Sequence, residues 1–404
     1  MPPALDGLRV LDLSRVLAGP VATQMLGDLG AEIIKIERPG EGDDTRRWGP
    51  PSLKDANGND TDESAYYLSC NRNKKSVTVD LAAPEGQEII RRLAAQSDIL
   101  IHNFKPGGLE KYGLDYQTLH AQFPRLIYVA ISGFGQDGPL ATEPGYDLMA
   151  QAMGGLMGHT GGPDQEPTKA GVALVDVMTG LHAVIGALAA LQAREKTGEG
   201  QMVDLALLDV TLASMTNIAQ YYLTSGHAPA RFGNAHATIV PYQSFEAKDG
   251  HIVIAVGNDQ QFKRLAASLG HAGWADDPRF ARNSARVENR DLLTSLIGNI
   301  IRQKNAAEWA ALFQDIDIPS SPVNMIGDVF KIDQIRHRGM EIAMEHPLSP
   351  NPVKLVGSPL RLSATPVSYR MPPPLLGQHT DEILSSALGF TIAELAELRA
   401  KKVI

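Results

Sequence analysis

Cysteine is almost absent from the chain: Cys70 is the only one among 404 residues. No disulfide can therefore form within the chain, and a metal site built from several cysteines is excluded. A single thiol without a partner is typical of a protein that works in a reducing compartment. We therefore expect a cytoplasmic protein.

Several motifs of common enzyme classes are also missing. The 11 histidines include no H-E-x-x-H or comparable spacing, which leaves metal catalysis without support. The absence of G-x-S-x-G removes the usual serine hydrolase of the α/β class. The turn after the first predicted strand, residues 14–20, lacks G-x-G-x-x-G, which disfavours a dinucleotide. We expect no metal ion at the functional site.

Neither long apolar runs nor an excess of basic side chains occurs. The longest apolar segment, residues 183–191, is far shorter than a membrane span, and the first residues lack the basic and apolar regions of a secretory signal. The net charge of −9 disfavours a nucleic-acid-binding protein. We therefore expect neither a membrane nor nucleic acid as a partner.

Short apolar segments alternate with segments of helical spacing over the first half of the chain. Such βαβ units build parallel sheets that are covered by helices on both faces. The alternation predicts an α/β fold with a doubly wound, mostly parallel, Rossmann-like sheet. The predicted strands are residues 8–13, 31–36, 76–81, 98–102, 126–132, 172–174 and 201–207, with helices at 20–29, 85–95, 117–122 and 177–194.

The pattern changes after residue 210, where a Gly-, Ala- and Pro-containing stretch at 224–234 indicates a linker. Residues 242–256 follow as a predicted hairpin that turns at 248–250. We predict a large domain over residues 1–210 and a smaller α+β domain over 225–330. Residues 340–404 are too few for a further domain, so we expect them to return to the large one.

Basic residues recur where predicted strands end, which is where open α/β sheets bind their ligands. Arg38 follows the second strand, and Lys105 and Lys111 follow the strand at 98–102. Arg38 either binds a ribose phosphate or pairs with Glu37. The segment 103–108 either approaches a phosphate with its backbone or is an ordinary turn. Residues 71–75 form a further basic cluster, which we expect in a solvated surface loop.

Asp176 is the most informative local residue, because it ends an apolar stretch and begins a helical one. An aspartate there is a preferred N-cap. It is also a possible carboxylate nucleophile, which the helix N-terminal amides would keep ionised. Asp147, after Tyr146, is either another helix start or part of the same site. The residue pattern alone leaves both pairs of alternatives open.

Four segments, taken in order, carry a specific resemblance to a known family. Residues 5–20, 29–39, 196–201 and 376–381 are similar to the class III CoA-transferases (CaiB/BaiF type), which include carnitine CoA-transferase and α-methylacyl-CoA racemase. The resemblance covers nearly the whole chain. It implies an enzyme that moves coenzyme A between carboxylic acids, with CoA as a co-substrate and no permanently bound cofactor. It also implies an interlocked homodimer.

The resemblance assigns roles to individual residues. It places the family's nucleophilic aspartate at Asp176, with Tyr146 and Asp147 in supporting positions. The implied CoA contacts are Val16, Leu17, Ala18, Arg38, Asn103, Phe104, Lys105 and Lys111.

A closer match indicates the branch that transfers CoA from succinyl-CoA to dicarboxylic acids, as the succinate–hydroxymethylglutarate enzymes do. It rests on residues 42–51, 71–76, 239–245 and 372–380.

Formyl-CoA and oxalate transferases are the main alternative within the family. Leu17 stands where they have glutamine, and Pro144 where they have lysine. Residues 233–236 replace their glycine-rich loop. These departures disfavour that alternative.

A racemase and a non-catalytic CoA-binding protein are the other two alternatives. Tyr146 stands where racemases of the family have a histidine, so the proton-transfer pair is incomplete. An intact Asp176 disfavours a protein that only binds CoA.

A dicarboxylate acceptor needs a cation or several donors for its second carboxylate. The candidates are Arg46, Arg47 and His236. Each has an alternative: the arginines follow Asp43 and Asp44 and can pair with them, and the histidine can be solvent-exposed.

Overall fold

The computed structural model describes all 404 residues. Its strands are β1 (Arg9–Asp12), β2 (Glu32–Glu37), β3 (Ser52–Lys54), β4 (Asp60–Ser64), β5 (Lys74–Thr78), β6 (Ile99–His102), β7 (Ile127–Ser132), β8 (Met202–Ala206), β9 (Tyr242–Ala247), β10 (Gly250–Ala255), β11 (Ser320–Pro322), β12 (Glu341–Met344) and β13 (Val353–Val356).

The α-helices are α1 (Ala18–Asp28), α2 (Ala65–Ser69), α3 (Pro84–Ala94), α4 (Tyr116–Gln122), α5 (Asp147–Met153), α6 (Leu156–His159), α7 (Leu174–Thr197), α8 (Leu207–Ser214), α9 (Thr216–Ser225), α10 (Asp259–Ser268), α11 (Asn283–Glu288), α12 (Arg290–Ile301), α13 (Ala306–Asp315), α14 (Ile326–Val329), α15 (Asp333–His337), α16 (Thr380–Leu388) and α17 (Ile392–Ala400). Short 3₁₀ turns lie at Asp44–Arg47, Glu110–Tyr112 and Ala272–Ala275.

Six parallel strands form the central sheet in the order β5-β2-β1-β6-β7-β8. From β1 the chain moves outward through β2 to β5 and then returns to place β6 on the other side of β1. The strand order therefore reverses between β1 and β6. This sheet confirms the predicted doubly wound α/β fold, whose ligands bind at the carboxyl ends of the strands beside such a reversal.

Neighbouring residues of each central strand face opposite layers of the core. Val10 of β1 packs in one apolar cluster with residues of α1 and α7. Leu11 packs in the other, with residues of α3, α16 and α17. Because both faces of the sheet are covered, β6 and β7 are nearly continuous apolar runs, whereas β2 and β5 carry the buried Lys35 and Lys74. Each fully buried leucine or isoleucine contributes about 1.5–3 kcal/mol of burial free energy.

Helix α7 is long and apolar enough, by length and composition alone, to cross a membrane. The longest uninterrupted apolar segment, residues 183–191, is much shorter than this helix, and the helix predicted from the sequence covered residues 177–194. One side of the helix packs in the core, where Val175, Ala183 and Ala187 belong to the cluster that α7 shares with α1, while Leu181 and Ile185 on another side are exposed. Near its end, buried Arg194 forms an ion pair with Asp98 at 2.9 Å.

The chain divides into two compact units. The first contains residues Met1–Leu156, Lys169–Gln220 and Gln334–Ile404, and holds the six-stranded sheet. The second contains Met157–Thr168 and Tyr221–Asp333. It holds the antiparallel sheet β11-β10-β9, in which β9 and β10 form the hairpin expected from the sequence.

The basic cluster at residues 71–75 is a correction to the sequence analysis, which placed it in a solvated loop. Arg72 and Lys74 are buried, as are the asparagines beside them. Arg72 pairs with Asp28, and Lys74 Nζ lies 3.3 Å from Asp12 Oδ2. The partner carboxylates come from α1 and β1, and their distance along the sequence hid the pairing.

Candidate active site

A cavity of about 470 Å³ opens at the carboxyl ends of the central strands. Strands β6 and β7 end there, and the loop after β1 borders it. We call it the inner cavity. Its wall contains most of the predicted site residues, namely Val16, Leu17, Ala18, Asn103, Phe104, Lys105, Lys111, Tyr146 and Asp176. The structure therefore brings together residues from five separate segments of the sequence.

A second cavity of about 340 Å³ lies beside the first, and we call it the outer cavity. The two share Arg15, Asp44, Phe104 and Tyr112 in their walls, so they are neighbours along one edge of the sheet. Of these two cavities, Arg38 lines only the outer one. Its side chain is 70% exposed and pairs with Glu41 at 2.9 Å, not with Glu37.

The loop that follows β1 has an unusual backbone at Val16, whose φ is +72°. This left-handed conformation costs a β-branched residue on the order of 1–3 kcal/mol unless its surroundings enforce it. Buried Lys35 supplies part of that enforcement: its Nζ donates to Ser14 O at 3.0 Å and to Asp43 Oδ2 at 2.9 Å. Asp43 Oδ1 in turn accepts from Val16 N at 3.3 Å.

Asn103 joins this loop to the end of β6. Its Oδ1 accepts from Arg15 N at 2.9 Å, and its Nδ2 donates to Arg15 O at 2.7 Å. The two bonds fix the spacing of the loops that border the inner cavity. The Asn103 side chain therefore has a structural partner in addition to the CoA contact that the resemblance implies.

Asp176 is the third residue of α7 and does not cap the helix. The N-cap is Ala173, which makes no side-chain cap bond, and residues 172–174 do not form the predicted strand. The carboxylate of Asp147, a residue of α5, accepts hydrogen bonds from the backbone amides at the start of α7. Its Oδ1 accepts from Val175 N at 2.8 Å and from Asp176 N at 3.2 Å.

Gln151, one turn further along α5, holds the Asp147 carboxylate in place. Its Nε2 donates to Asp147 Oδ2 at 2.6 Å. Its Oε1 accepts from Ala170 N at 2.9 Å, which ties the segment before α7 to α5. Gln151 is fully buried, so this bridge is shielded from water. No sequence signal had marked it.

The pKa of Asp176 is raised to about 7, first by burial and then by the negative charge of Asp147. The expectation that helix amides keep Asp176 ionised was wrong, because Asp147 accepts the hydrogen bonds of the first amides. Near neutral pH Asp176 therefore exists in both protonation states. A poorly solvated carboxylate facing a cavity is well suited to nucleophilic attack.

Tyr66 lies near Asp176, although the sequence analysis did not select it. Burial, followed by the charge of Asp176, raises the pKa of Tyr66 to about 12. Its ring packs edge-on against Trp48, with ring centroids 5.2 Å apart. Trp48 belongs to segment 42–51, one of those that carry the closer match.

Of the two arginines proposed for a second substrate carboxylate, Arg46 is engaged by partners within the protein, whereas the role of Arg47 stays a prediction. Arg46 is buried and pairs with Glu37 at 2.8 Å and with Glu63. Its guanidinium also donates to Pro374 O at 3.1 Å, so its donors are engaged within the protein. Neither Asp43 nor Asp44 is its partner. Arg47 is exposed.

His236 belongs to the second compact unit, and its contacts there are local. Its Nδ1 accepts from Thr238 N at 3.2 Å, and its ring lies 5.3 Å from that of Tyr242.

The comparisons with known proteins agree with this geometry. The model of CoA-transferase family III matches residues 5–380. The succinyl-CoA:glutarate CoA-transferase of Mus musculus is 43% identical over 400 residues, which are 99% of this chain and 90% of that protein. The succinate–glutarate CoA-transferase of Agrobacterium fabrum is 44% identical over 383 residues, or 95% of each chain.

A solved structure supports the same relationship. The crystal structure of a CAIB/BAIF family protein from Brucella suis superposes with a TM-score of 0.88 at 45% identity. The match covers 96% of this chain and 100% of that one.

Proposed function

Because the chain belongs to CoA-transferase family III and is therefore an enzyme that transfers CoA, we propose that Asp176 relays CoA from succinyl-CoA to a short dicarboxylic acid such as glutarate. The observation that carries the proposal is the placement of Asp176. Its half-buried carboxylate faces a cavity at the carboxyl ends of the strands, in a chain that has near full-length relatives named succinyl-CoA:glutarate and succinate–glutarate CoA-transferase.

The reaction divides into four acyl transfers. A carboxylate oxygen of Asp176 attacks the thioester carbonyl of succinyl-CoA, the C–S bond breaks, and CoA thiolate leaves a succinyl–aspartyl anhydride. The thiolate attacks the aspartyl carbonyl, which releases succinate and forms an aspartyl–CoA thioester. The acceptor carboxylate then attacks that thioester and gives a second anhydride and thiolate. Finally the thiolate attacks the acceptor carbonyl and regenerates the Asp176 carboxylate.

The environment of Asp176 fits this sequence. The ionised form of a carboxylate with a pKa near 7 is less stable than that of a solvated carboxylate. The free-energy barrier to anhydride formation is therefore lower. Burial also limits the access of water, which would hydrolyse the anhydrides. Asp147 and Gln151 hold the start of α7, so the nucleophile keeps its position between steps.

The two neighbouring cavities support an assignment of the CoA-binding residues. We place the pantetheine along residues 16–18 in the inner cavity, with its sulfur directed toward Asp176. Lys105 and Lys111, in the same wall, would contact the phosphates. The nucleotide would then occupy the outer cavity beside Arg38.

An exposed apolar surface supports the homodimer. Helix α5 exposes Leu148 and Met153, and α7 exposes Leu181 and Ile185. Apolar patches of this kind usually mark an interface. We propose that a second copy covers these helices and that the dimer works in the cytoplasm, where buried Cys70 remains reduced. Light scattering at low micromolar concentration would show a monomer if this is wrong.

The test of the function is an acceptor panel. We would incubate the enzyme with succinyl-CoA and, separately, glutarate, oxalate or butyrate, and detect the new acyl-CoA by mass spectrometry. We expect glutaryl-CoA to form at least tenfold faster than the other two products. Equal rates with butyrate would contradict a dicarboxylate acceptor, and a preference for oxalate would favour the formyl-CoA and oxalate branch.

The nucleophile is tested separately. Asp176→Asn should abolish turnover and retain CoA binding, and hydroxylamine added during turnover should trap the wild-type enzyme at this residue. Full activity in the Asn variant would exclude Asp176 as the relay. Glutaryl-CoA formation by the wild type would still stand in that case.

A further inference from the structure

The C-terminal end of α17 borders a third cavity. This recess, of about 390 Å³, is formed by residues 38–41, Asp80, Arg399, Lys402 and Ile404. It shares Arg38, Glu41 and Asp80 with the outer cavity. A ligand in the outer cavity can therefore extend a charged group into the recess.

Lys402 has a backbone conformation that lysine rarely adopts, with φ of +59°. The left-handed residue after a helix is usually glycine. This chain follows that rule at the ends of α7 and α16, where Gly198 has φ of +79° and Gly389 has φ of +74°. A non-glycine residue held in a sparsely populated conformation is a reason to look for a role of its side chain.

The turn that carries Lys402 is fixed to the sheet. Val403 is buried, its N donates to Leu398 O at 2.9 Å, and its O accepts from Asp80 N at 2.8 Å. Asp80 lines both the recess and the outer cavity. The Lys402 backbone is therefore held at the boundary between the two spaces.

Lys402 is the one cation of the recess without an internal ion pair. Arg38 pairs with Glu41, and Arg399 pairs with Asp381. Lys401 lies outside the recess and pairs with Glu397 at 2.8 Å. Lys402 is exposed, and no carboxylate lies within ion-pairing distance of it. Glu41 and Asp80 also line the recess, but Glu41 is engaged by Arg38, so Lys402 is the cation that remains available to an anionic group of a ligand.

We propose that Lys402, together with Arg38, binds the phosphate monoester on the ribose of coenzyme A. This proposal rests on the proposed function, which places the nucleotide in the outer cavity. A ribose phosphate is a dianion near neutral pH, and it is the only phosphate monoester of CoA. The pyrophosphate, in contrast, lies between the nucleotide and the pantetheine, toward Lys105 and Lys111. Lys402 is thus assigned the group that distinguishes CoA from 3′-dephospho-CoA.

The test compares the affinities of the full-length enzyme for free CoA and for 3′-dephospho-CoA by calorimetry. We expect the wild type to bind CoA at least fivefold more tightly. In Lys402→Gly this ratio should fall at least twofold, because only CoA loses a contact, and Arg38 should account for the discrimination that remains. Glycine also relieves the left-handed backbone, so a weakened fold cannot explain the loss. Lys402→Arg should restore most of the ratio, and the neighbouring Lys401→Ala should leave it unchanged.

Two outcomes would overturn the proposal: a wild type that binds both ligands equally, or a Lys402→Gly variant that keeps the wild-type ratio. In either case tight CoA binding would leave the proposed function intact. An absence of CoA binding by the wild type would contradict the proposed function itself.

Discussion

Asp147 caps the helix that carries Asp176: its Oδ1 accepts the backbone N–H of Asp176 at 3.2 Å, as well as that of Val175. One carboxylate of the site therefore uses the amides that would otherwise stabilise the charge of the other. The like charge adds to burial and raises the pKa of Asp176 to about 7. The carboxylate that we propose as the nucleophile is thus held in a fixed position and also destabilised in its charged form.

The pH dependence of the reaction should follow from this pair. Only the ionised form of Asp176 attacks, so we expect kcat/KM for succinyl-CoA to fall as the pH decreases through about 7. Asp147→Asn removes the like charge and keeps an oxygen for the cap. The acid limb should then move to lower pH without reaching the value of a free aspartate, because burial remains. The exposed Asp137→Asn variant is the control, and an unshifted limb in Asp147→Asn would show that the charge of Asp147 is unimportant.

The same pKa predicts that the charged form of Asp176 lowers the free energy of unfolding. In the unfolded chain an aspartate ionises near pH ~3.9, whereas folded Asp176 does so near about 7. The folded state therefore retains a proton that the unfolded state releases, and stability is lost as the pH rises through this window. Asp176→Asn should stabilise the protein by about 2 kcal/mol at pH 8 and by less at pH 5. Melting temperatures at the two pH values would measure this, and an equal gain at both would contradict it.

The sheet could be predicted from the sequence because burial on both faces leaves a strong local signal. Strand β2, for example, is apolar at Ile33, Ile34 and Ile36, which face alternate layers of the core. Helical segments between such runs leave few arrangements other than a parallel sheet, because parallel strands need a long crossover connection. The six-stranded order confirmed that reasoning.

The polar interior could not be predicted in the same way. Lys74 looks like a surface residue until the fold brings Asp12 to within 3.3 Å of its Nζ. Asp176 follows an apolar stretch and resembles a cap, but the actual cap comes from Asp147 in another helix. Buried charges depend on partners that are distant in sequence, whereas apolar burial depends mainly on local composition.

The sequence suggested that Arg46 binds the second carboxylate of the substrate, whereas its buried ion pairs predict a role in stability. Its removal leaves the buried Glu37 and Glu63 without their ion-pair partner, a loss that typically costs about 3 kcal/mol or more. Arg46→Ala should therefore lower the melting temperature and reduce activity toward glutarate and butyrate alike. Arg47→Ala, an exposed neighbour, should change stability by less than about 0.5 kcal/mol. If Arg46→Ala remained stable and lost activity only toward dicarboxylic acids, Arg46 would instead bind the second carboxylate of the substrate.

Arg38 and Glu41 should have opposite effects on donor binding. Arg38→Ala should raise the KM for succinyl-CoA by about tenfold with little change in kcat, because the lost contact is remote from Asp176. Glu41→Gln should lower that KM, since it releases Arg38 from the ion pair at 2.9 Å and removes a negative charge from the outer cavity. Steady-state kinetics at low ionic strength would resolve both changes. An unchanged KM in both variants would show that the ion pair between Arg38 and Glu41 takes no part in donor binding.

A substitution at Gly145 tests whether the close backbone contact beside the inner cavity positions the site. Its backbone lies so close to Gly133 that a Cβ on Gly145 would stand 2.3 Å from the Gly133 Cα, far inside contact distance. Gly133 follows β7, and Gly145 precedes Tyr146 and Asp147, so this contact sets the distance between the sheet and the segment that caps α7. Gly145→Ala must push that segment outward.

A displacement of about an ångström at the groups that hold a nucleophile can cost a hundredfold in rate. We therefore expect kcat to fall by about that factor in Gly145→Ala. The KM for succinyl-CoA should change less than kcat, because the outer cavity, where we place the nucleotide, is untouched, although Gly145 itself lines the inner cavity. Gly171→Ala is the matched control, because a Cβ there meets open space although it lies in the segment leading to Asp176. Equal effects of the two substitutions, or a rise in KM without a fall in kcat, would show that the contact between Gly133 and Gly145 does not position the Asp147–Asp176 pair.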